Sequence, residues 1–268
     1  MTIRFTKSNK LRNKLLVEQE MLFRRWFRKA FKIIQEKIAS TGVYNSEGNL
    51  SGIDVQKLNS LSKFAVRTYT ELVPKFEGEI RENMYTVSES VVREFEKKTK
   101  ISLSADKSFI MDIVSAVALG RIYNDNWTLH KALAAYPREI QKLLEAIIKE
   151  GQEDGKSASE IVTDILDVLN PNSTEKERTY HGKTFVHTGR IDATVQRIAK
   201  TTVVHDYERA VVKVAQEVRQ GQTYIRWISA LAPNTCELCA ERHMHLFDVN
   251  DVPLEHPNGQ CELEIEIL

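Results

Sequence analysis

The residues best suited to chemistry in this chain are its three cysteines, all of which fall in the last 33 of 268 residues. Cys236 and Cys239 form a C-x-x-C pair; His256 follows after sixteen residues and Cys261 after four more. Two thiolates at this spacing lie on one tight turn and bind a single tetrahedral ion, and a His/Cys pair from a distant loop completes the ligand set. The spacing therefore predicts a closed structural zinc site formed by Cys236, Cys239, His256 and Cys261. An odd cysteine count does not indicate a disulfide framework.

Two alternatives to this ligand set stay open. His243 and His245 compete with His256 for the fourth position, although they follow Cys239 closely. The other alternative is three unrelated buried or free thiols that bind no metal.

No pattern in the chain supports catalysis. The sequence contains no H-E-x-x-H, G-x-S-x-G or G-x-G-x-x-G motif, and scattered histidines do not make a catalytic site. The segment from Gly151 to Ser157 resembles a phosphate-binding loop, but it has three residues between its glycines where that loop has four, and a helical pattern precedes it. We expect a turn between two helices there and a protein that is not an enzyme.

Charge is concentrated at one end of the chain. Residues 1–40 carry eleven basic and three acidic side chains, although the whole chain has a net charge of only +1. Residues 11–39 repeat apolar residues at helical spacing with cations between them, which predicts a long amphipathic helix. A solvated face within a helical bundle is the commonest role of such a helix; contact with DNA, an acidic protein surface or an anionic membrane is the alternative. We expect its aromatic side to be buried against another subunit; its members are Phe23, Trp26, Phe27 and Phe31.

The remaining pattern is helical until residue 221 and strand-like after it. Asp54 is a candidate N-cap, and Ser157 or Ser159 is expected to cap another helix. Pro74 and Pro137 are expected to end or kink the helices in which they fall. Gly221 is expected to end the long helix over 191–218. Further helices are expected over 75–98, 109–122, 127–150 and 161–169, with loops at 45–52 and 170–189, the latter as an exposed loop or small hairpin. The segments 224–229 and 261–268 alternate as strands do and are expected to pair.

These elements predict a mainly α fold in which long helices and helical hairpins are followed by a small C-terminal α+β zinc-binding module. The expected regions are an N-terminal helical region (1–100), a helical core (101–221) and a two-stranded zinc module (222–268). No apolar stretch approaches the ~20 residues of a membrane-spanning helix, and no signal peptide is recognised. We expect synthesis in a reducing cytoplasm.

Several segments resemble the phage head morphogenesis family, the minor head proteins of tailed phages that include protein F of phage Mu. The similar segments are R-I-A-K-T-T-V-V-H-D-Y-E-R-A at 197–210, R-W-I-S at 226–229, T-C-E-L-C at 235–239 and H-P-N-G-Q-C at 256–261. The helix pair around Gly155 to Leu169 is also similar, so the resemblance covers residues 140–268. The chain departs from the family pattern at 200–202, where K-T-T replaces R-T-E, and at Gly259, where the family has a cysteine. The stretch 172–189 is longer than the family's connection and has no assigned role.

The resemblance implies a non-enzymatic virion component made in the host bacterial cytoplasm. It implies association with the portal protein inside the head, in several copies, with other capsid or scaffolding proteins nearby and a part in head morphogenesis and DNA packaging or delivery. The basic helix would suit contact with packaged DNA. The alternative is a zinc-stabilised DNA-binding or nuclease-like protein of a mobile element.

Overall fold

A computed structural model of the chain describes residues 1–43, 50–103, 107–120, 128–172, 176–180, 183–187, 192–218, 222–231, 235–256, 259 and 261–268. In these ranges the chain forms eight helices and six strands. In chain order they are β1 (Thr2–Arg4), α1 (Thr6–Thr41), α2 (Gly52–Thr70), α3 (Val73–Thr99), α4 (Lys107–Leu119), α5 (Leu129–Glu153), α6 (Ala158–Leu169), β2 (Lys176–Tyr180), β3 (Lys183–His187), α7 (Ala193–Val218), β4 (Thr223–Ile228), α8 (Glu237–Arg242), β5 (Leu246–Asp248) and β6 (Glu262–Ile267).

The predicted fold class is confirmed: the protein is mainly helical with a small antiparallel sheet at its C-terminal end. The predicted pairing of the Trp227 strand with the last strand is also confirmed, since Trp227 of β4 lies opposite Leu263 of β6. The sheet nevertheless has four strands, in the order β1-β6-β4-β5, where two were expected. The two additional strands have three residues each, too few for the alternation of side chains to be recognised in the sequence.

Successive side chains of each strand point to opposite faces of the sheet, and here one face is apolar and the other is charged. The side chains of the apolar face are at most 1% exposed; they are Ile3, Ile225, Trp227, Leu263 and Ile265. On the other face Arg4 pairs with Glu264 at 2.8 Å and Arg226 with Glu266 at 3.4 Å. The sheet therefore contributes its apolar side to the core, as a half-buried antiparallel sheet does.

Two helices begin with capping boxes, in which a serine and an acidic residue satisfy each other's backbone amides. Ser51, not Asp54, is the N-cap of α2; Asp54 is the acidic partner three residues later. The expected cap at Ser157 is confirmed, with Glu160 as its partner. Between α5 and α6 the chain turns at Gly155, whose φ of 71° is accessible to glycine without strain, so the segment is a helix–helix turn as predicted.

The two prolines that were expected to break helices, Pro74 and Pro137, have different effects on the chain. Pro74 follows the turn between α2 and α3, as predicted. The break predicted at Pro137 is wrong, because α5 continues through it. Leu133 and Tyr136 before the proline and Ile140 and Leu144 after it are all buried on one face. Continuous burial of this face offsets the ~3 kcal/mol that an interior proline costs.

The hairpin expected within 170–189 is present as the antiparallel pair β2–β3. The predicted C-terminal Gly221 of the long helix lies outside the described residues, as does most of the loop at 45–52.

The chain divides into two compact units, each assembled from separate stretches of sequence, whereas the three regions expected from the sequence are consecutive. One unit comprises Met1–Gln19, Glu77–His130 and Arg197–Leu268; the other comprises Glu20–Phe76 and Lys131–Gln196. In the second unit, Phe23 and Phe27 are fully buried and pack against Phe76, with Phe27 stacked on it at 5.3 Å between ring centroids. The aromatic side of the basic helix was expected to be buried against another subunit. Two of its members, Phe23 and Phe27, are instead buried within this chain.

In the first unit, α7 is the central element, because most of its residues from Ala199 to Ala215 are buried. Asp206 is fully buried and accepts a hydrogen bond from the Ser88 hydroxyl of α3 at 2.8 Å. Burial raises the pKa of Asp206 well above its ordinary value, because removal from water disfavours the charged form of a carboxyl. The metal-ligand candidates all lie in this unit.

Candidate metal centre

The first half of the site is the C-x-x-C turn at the start of α8. Cys236 is the N-cap of this helix, and its sulfur accepts the backbone N–H of Cys239 at 3.4 Å. The backbone N–H of Ala240 closes the turn onto the Cys236 carbonyl at 3.0 Å. The turn therefore brings two sulfurs together, with Cys239 buried and Cys236 partly exposed.

The second half of the site is the segment that enters β6. The backbone N–H of Gly259 donates to the His256 carbonyl at 3.0 Å. Glu262, the next residue, pairs with Ile228 at the end of β4. Since β4 leads into the C-x-x-C turn, pairing of β4 with β6 brings the two halves of the site to the same end of the sheet.

Two overlapping groups of donors result. The ligand atoms of Cys236, Cys239 and His256 lie within 4.8 Å of one another, and so do those of Cys239, Cys261 and Glu255. In the part of the chain that the structure describes, these are the groups of three or more such side chains close enough to hold an ion. The four residues predicted from the sequence therefore form one cluster that is compatible with a metal, with Cys239 common to both groups.

Deprotonation of the buried thiols of this cluster is unfavourable when no cation is nearby. Burial, with a hydrogen bond to Cys236, raises the pKa of Cys239 to about 11. Burial and the neighbouring Glu255 carboxylate raise the pKa of Cys261 further. Thiolates at these positions require a compensating cation, and a bound metal ion supplies it because it favours the deprotonated ligand. Sulfur from cysteine and nitrogen from histidine are the donors that a thiolate-binding metal takes, so the donor set of the cluster fits such an ion.

Glu255 is the member of the cluster that was not predicted from the sequence. Its side chain is 3% exposed, and both carboxylate oxygens accept the backbone N–H of Cys261, at 2.8 and 3.0 Å. The one signal in the sequence is its position next to His256, and an acidic residue in a loop is ordinarily solvated. Its role depends on contacts with α7, which are remote in sequence.

The competing histidines have other contacts. His243 accepts the backbone N–H of Ser229 on its Nδ1 at 3.1 Å, and His245 lies against the Phe247 ring. His205 of α7 donates from Nε2 to the Glu255 carbonyl at 2.8 Å. Burial lowers the pKa of His205, because removal from water disfavours the charged imidazolium.

The chain matches no protein-family model, no curated protein and no solved structure. Fold and site together define a mainly helical protein with a Cys/His cluster at the end of a small C-terminal sheet. None of the described helices combines the length and apolar character that crossing a bilayer requires.

Proposed function

We propose that the cluster binds one zinc ion through Cys236, Cys239, His256 and Cys261. Three thiolates and one imidazole are a common structural zinc set, and four protein ligands leave no position for a reacting water. The ion would cross-link the C-x-x-C turn to the segment entering β6. A structural zinc contributes on the order of 10 kcal/mol to the folding of small modules.

The test is metal content by elemental analysis on the purified full-length chain. We expect one zinc per chain, and its loss in Cys236→Ser and Cys261→Ser. His245→Ala is the matched control, because this exposed histidine is in the same module but outside both donor groups; it should keep the zinc. No metal in the wild type, or metal retained without Cys261, would overturn the ligand set.

We further propose that the protein is a minor head protein of a tailed phage or prophage, bound to the portal protein inside the head. The observation that carries this proposal is the cluster itself. The similar segments of the phage head morphogenesis family fall on α7, on β4 with Trp227, on the C-x-x-C turn and on the His256–Cys261 segment, and in this chain all four belong to one unit. The role is head assembly, with several copies around the portal and other capsid or scaffolding proteins as neighbours.

Contact with packaged DNA is assigned to the basic face of α1. Arg25, Arg28, Lys29 and Lys32 are exposed and recur at three- and four-residue steps, which places them on one side of the helix. Lys32 also lies 3.9 Å from Glu36. A row of cations complements a phosphate backbone, and such binding weakens steeply as salt increases. Filter binding of duplex DNA at increasing salt tests this contact, with Arg25→Glu/Arg28→Glu expected to abolish it.

The location is tested by inducing the strain that encodes the chain, purifying the particles and quantifying the protein by mass spectrometry in full heads, empty heads and tails. We expect it in heads, at a copy number set by the portal. Its absence from purified heads would overturn the proposal. Metal-dependent cleavage of DNA by the purified chain would instead support a nuclease-like protein of a mobile element.

A further inference from the structure

Glu255 is held in place by helix α7 through its own backbone. Its carbonyl accepts a hydrogen bond from His205 Nε2 at 2.8 Å, and its N–H donates to the Glu208 carboxylate at 3.4 Å. His205 and Glu208 are three residues apart and therefore lie on one face of α7. The residue before His256 is thus attached to the most buried helix of its unit.

The side chain of Glu255 in turn holds Cys261. Its two oxygens accept the Cys261 N–H at 2.8 and 3.0 Å. The Cys261 carbonyl accepts a hydrogen bond from Arg12 Nη1 at 3.2 Å, and Arg12 is 1% exposed. The backbone of Cys261 is therefore hydrogen-bonded on both sides to buried charged groups: its N–H donates to the Glu255 carboxylate, and its C=O accepts from the Arg12 guanidinium. Hydrogen bonds to charged groups are stronger than those between neutral groups.

Gly259 leaves the space that this arrangement needs. A Cβ atom built on residue 259 would lie 2.1 Å from the carboxylate carbon of Glu255. A larger residue at 259 therefore requires the Glu255 side chain to shift from the position in which it accepts the Cys261 N–H. Gly259→Ala consequently perturbs Glu255 without altering any of the four proposed ligands.

We propose that Glu255 is a positioning residue of the metal centre: it fixes the backbone of Cys261, and so directs the Cys261 sulfur towards the ion shared with Cys236, Cys239 and His256. It is not itself a ligand. The proposal rests on the proposed zinc site and deepens it, since it makes α7 the support of the second half of the site. Hydrogen-bond partners outside the ligand set typically account for about 10- to 100-fold in metal affinity.

The experiment is a titration of the metal-free full-length chain with Co²⁺. Competition against a chelator measures the affinity, and the visible absorption of the saturated complex reports the ligand geometry. Glu255→Ala and Gly259→Ala should bind about 10- to 100-fold more weakly, and Glu255→Gln, which keeps one acceptor oxygen, less so. All three should reach the wild-type spectrum at saturation. Glu241→Gln, an exposed acid on α8, is the matched control and should bind as the wild type does.

The outcomes separate the two proposals. If the wild type binds no Co²⁺, the metal site itself is overturned. If the wild type binds and Glu255→Ala binds equally well, the site stands and the role of Glu255 is overturned. A changed visible spectrum of saturated Glu255→Gln would make Glu255 a ligand, which also overturns the positioning role. The far-ultraviolet circular dichroism of each metal-free variant shows whether its helices have formed.

Discussion

At the scale of single residues, Arg12 is the least expected feature of the core. It is nearly fully buried, its guanidinium lies over the Tyr207 ring at 4.6 Å from the centroid, and its Nη1 reaches the Cys261 carbonyl. In the sequence, Arg12 is one of the cations of the amphipathic helix predicted over 11–39, and charge alone does not show which of these cations are buried. The C-x-x-C and His-x₄-Cys spacings, in contrast, predicted four cluster members, since ligand spacing is a local property of the chain.

Arg12→Lys should lower the free energy of unfolding by about 2 kcal/mol, within the range for hydrogen bonds to charged groups. Lysine keeps the charge but loses the planar group that stacks on Tyr207 and donates to Cys261. Urea denaturation followed by circular dichroism measures the change. Lys10→Ala, an exposed position on the same helix, should leave the midpoint unchanged; an equal loss in both variants would contradict a specific role for Arg12.

At the scale of elements, helical periodicity predicted the long helices because each buries one regular face. It failed where a tertiary contact decided the outcome. The first turn of α1 begins at Thr6, before the expected start, because Glu94 of α3 caps it: the carboxylate accepts the Ser8 N–H and hydroxyl, both at 2.8 Å, and the Lys7 N–H at 3.3 Å. No local pattern near residue 6 contains this information.

This cap predicts a pH dependence. Burial raises the pKa of Glu94, but hydrogen bonds from Lys98 and from Ser8 outweigh it and lower the pKa below 4.5. The folded state then binds fewer protons than the unfolded state, so the stabilisation is present above about pH 4.5 and is lost as the pH falls through the folded pKa.

Glu94→Gln should therefore lower the free energy of unfolding by about 1–3 kcal/mol at neutral pH, and the difference from wild type should shrink in acid. Urea denaturation at a series of pH values measures it. Glu89→Gln removes an exposed ion pair with Arg93 and should change little. A Glu94→Gln deficit that does not depend on pH would contradict the assigned role.

At the scale of the whole molecule, the sheet joins residues from the two ends of the sequence. Ile3 of β1 lies opposite Ile265 of β6 and is 1% exposed. The expected module over 222–268 therefore does not contain its whole sheet. Such a contact is not readable from a three-residue strand, because its partner is more than 250 residues away.

Ile3→Ala should lower the free energy of unfolding by about 2–5 kcal/mol, the usual cost of truncating a buried isoleucine side chain to its Cβ. It should also weaken the affinity for metal, since β6 follows directly from Cys261. Thermal melting with and without zinc measures both effects. Val17→Ala, which is 58% exposed in the wild type, is the apolar control; a melting point equally lowered in both would show that β1 contributes nothing specific.

The pairing of Thr2 with Glu266 across 264 residues also affects the order of folding. Closing so long a loop is entropically unfavourable before the intervening chain is compact, so we expect β1 to dock late. A circular permutant that links residue 268 to residue 1 through a short linker and opens the chain at the exposed Gly155 turn converts this pairing into a local hairpin. Low contact order speeds folding, so the permutant should form its sheet earlier, and the slowest refolding phase should become faster.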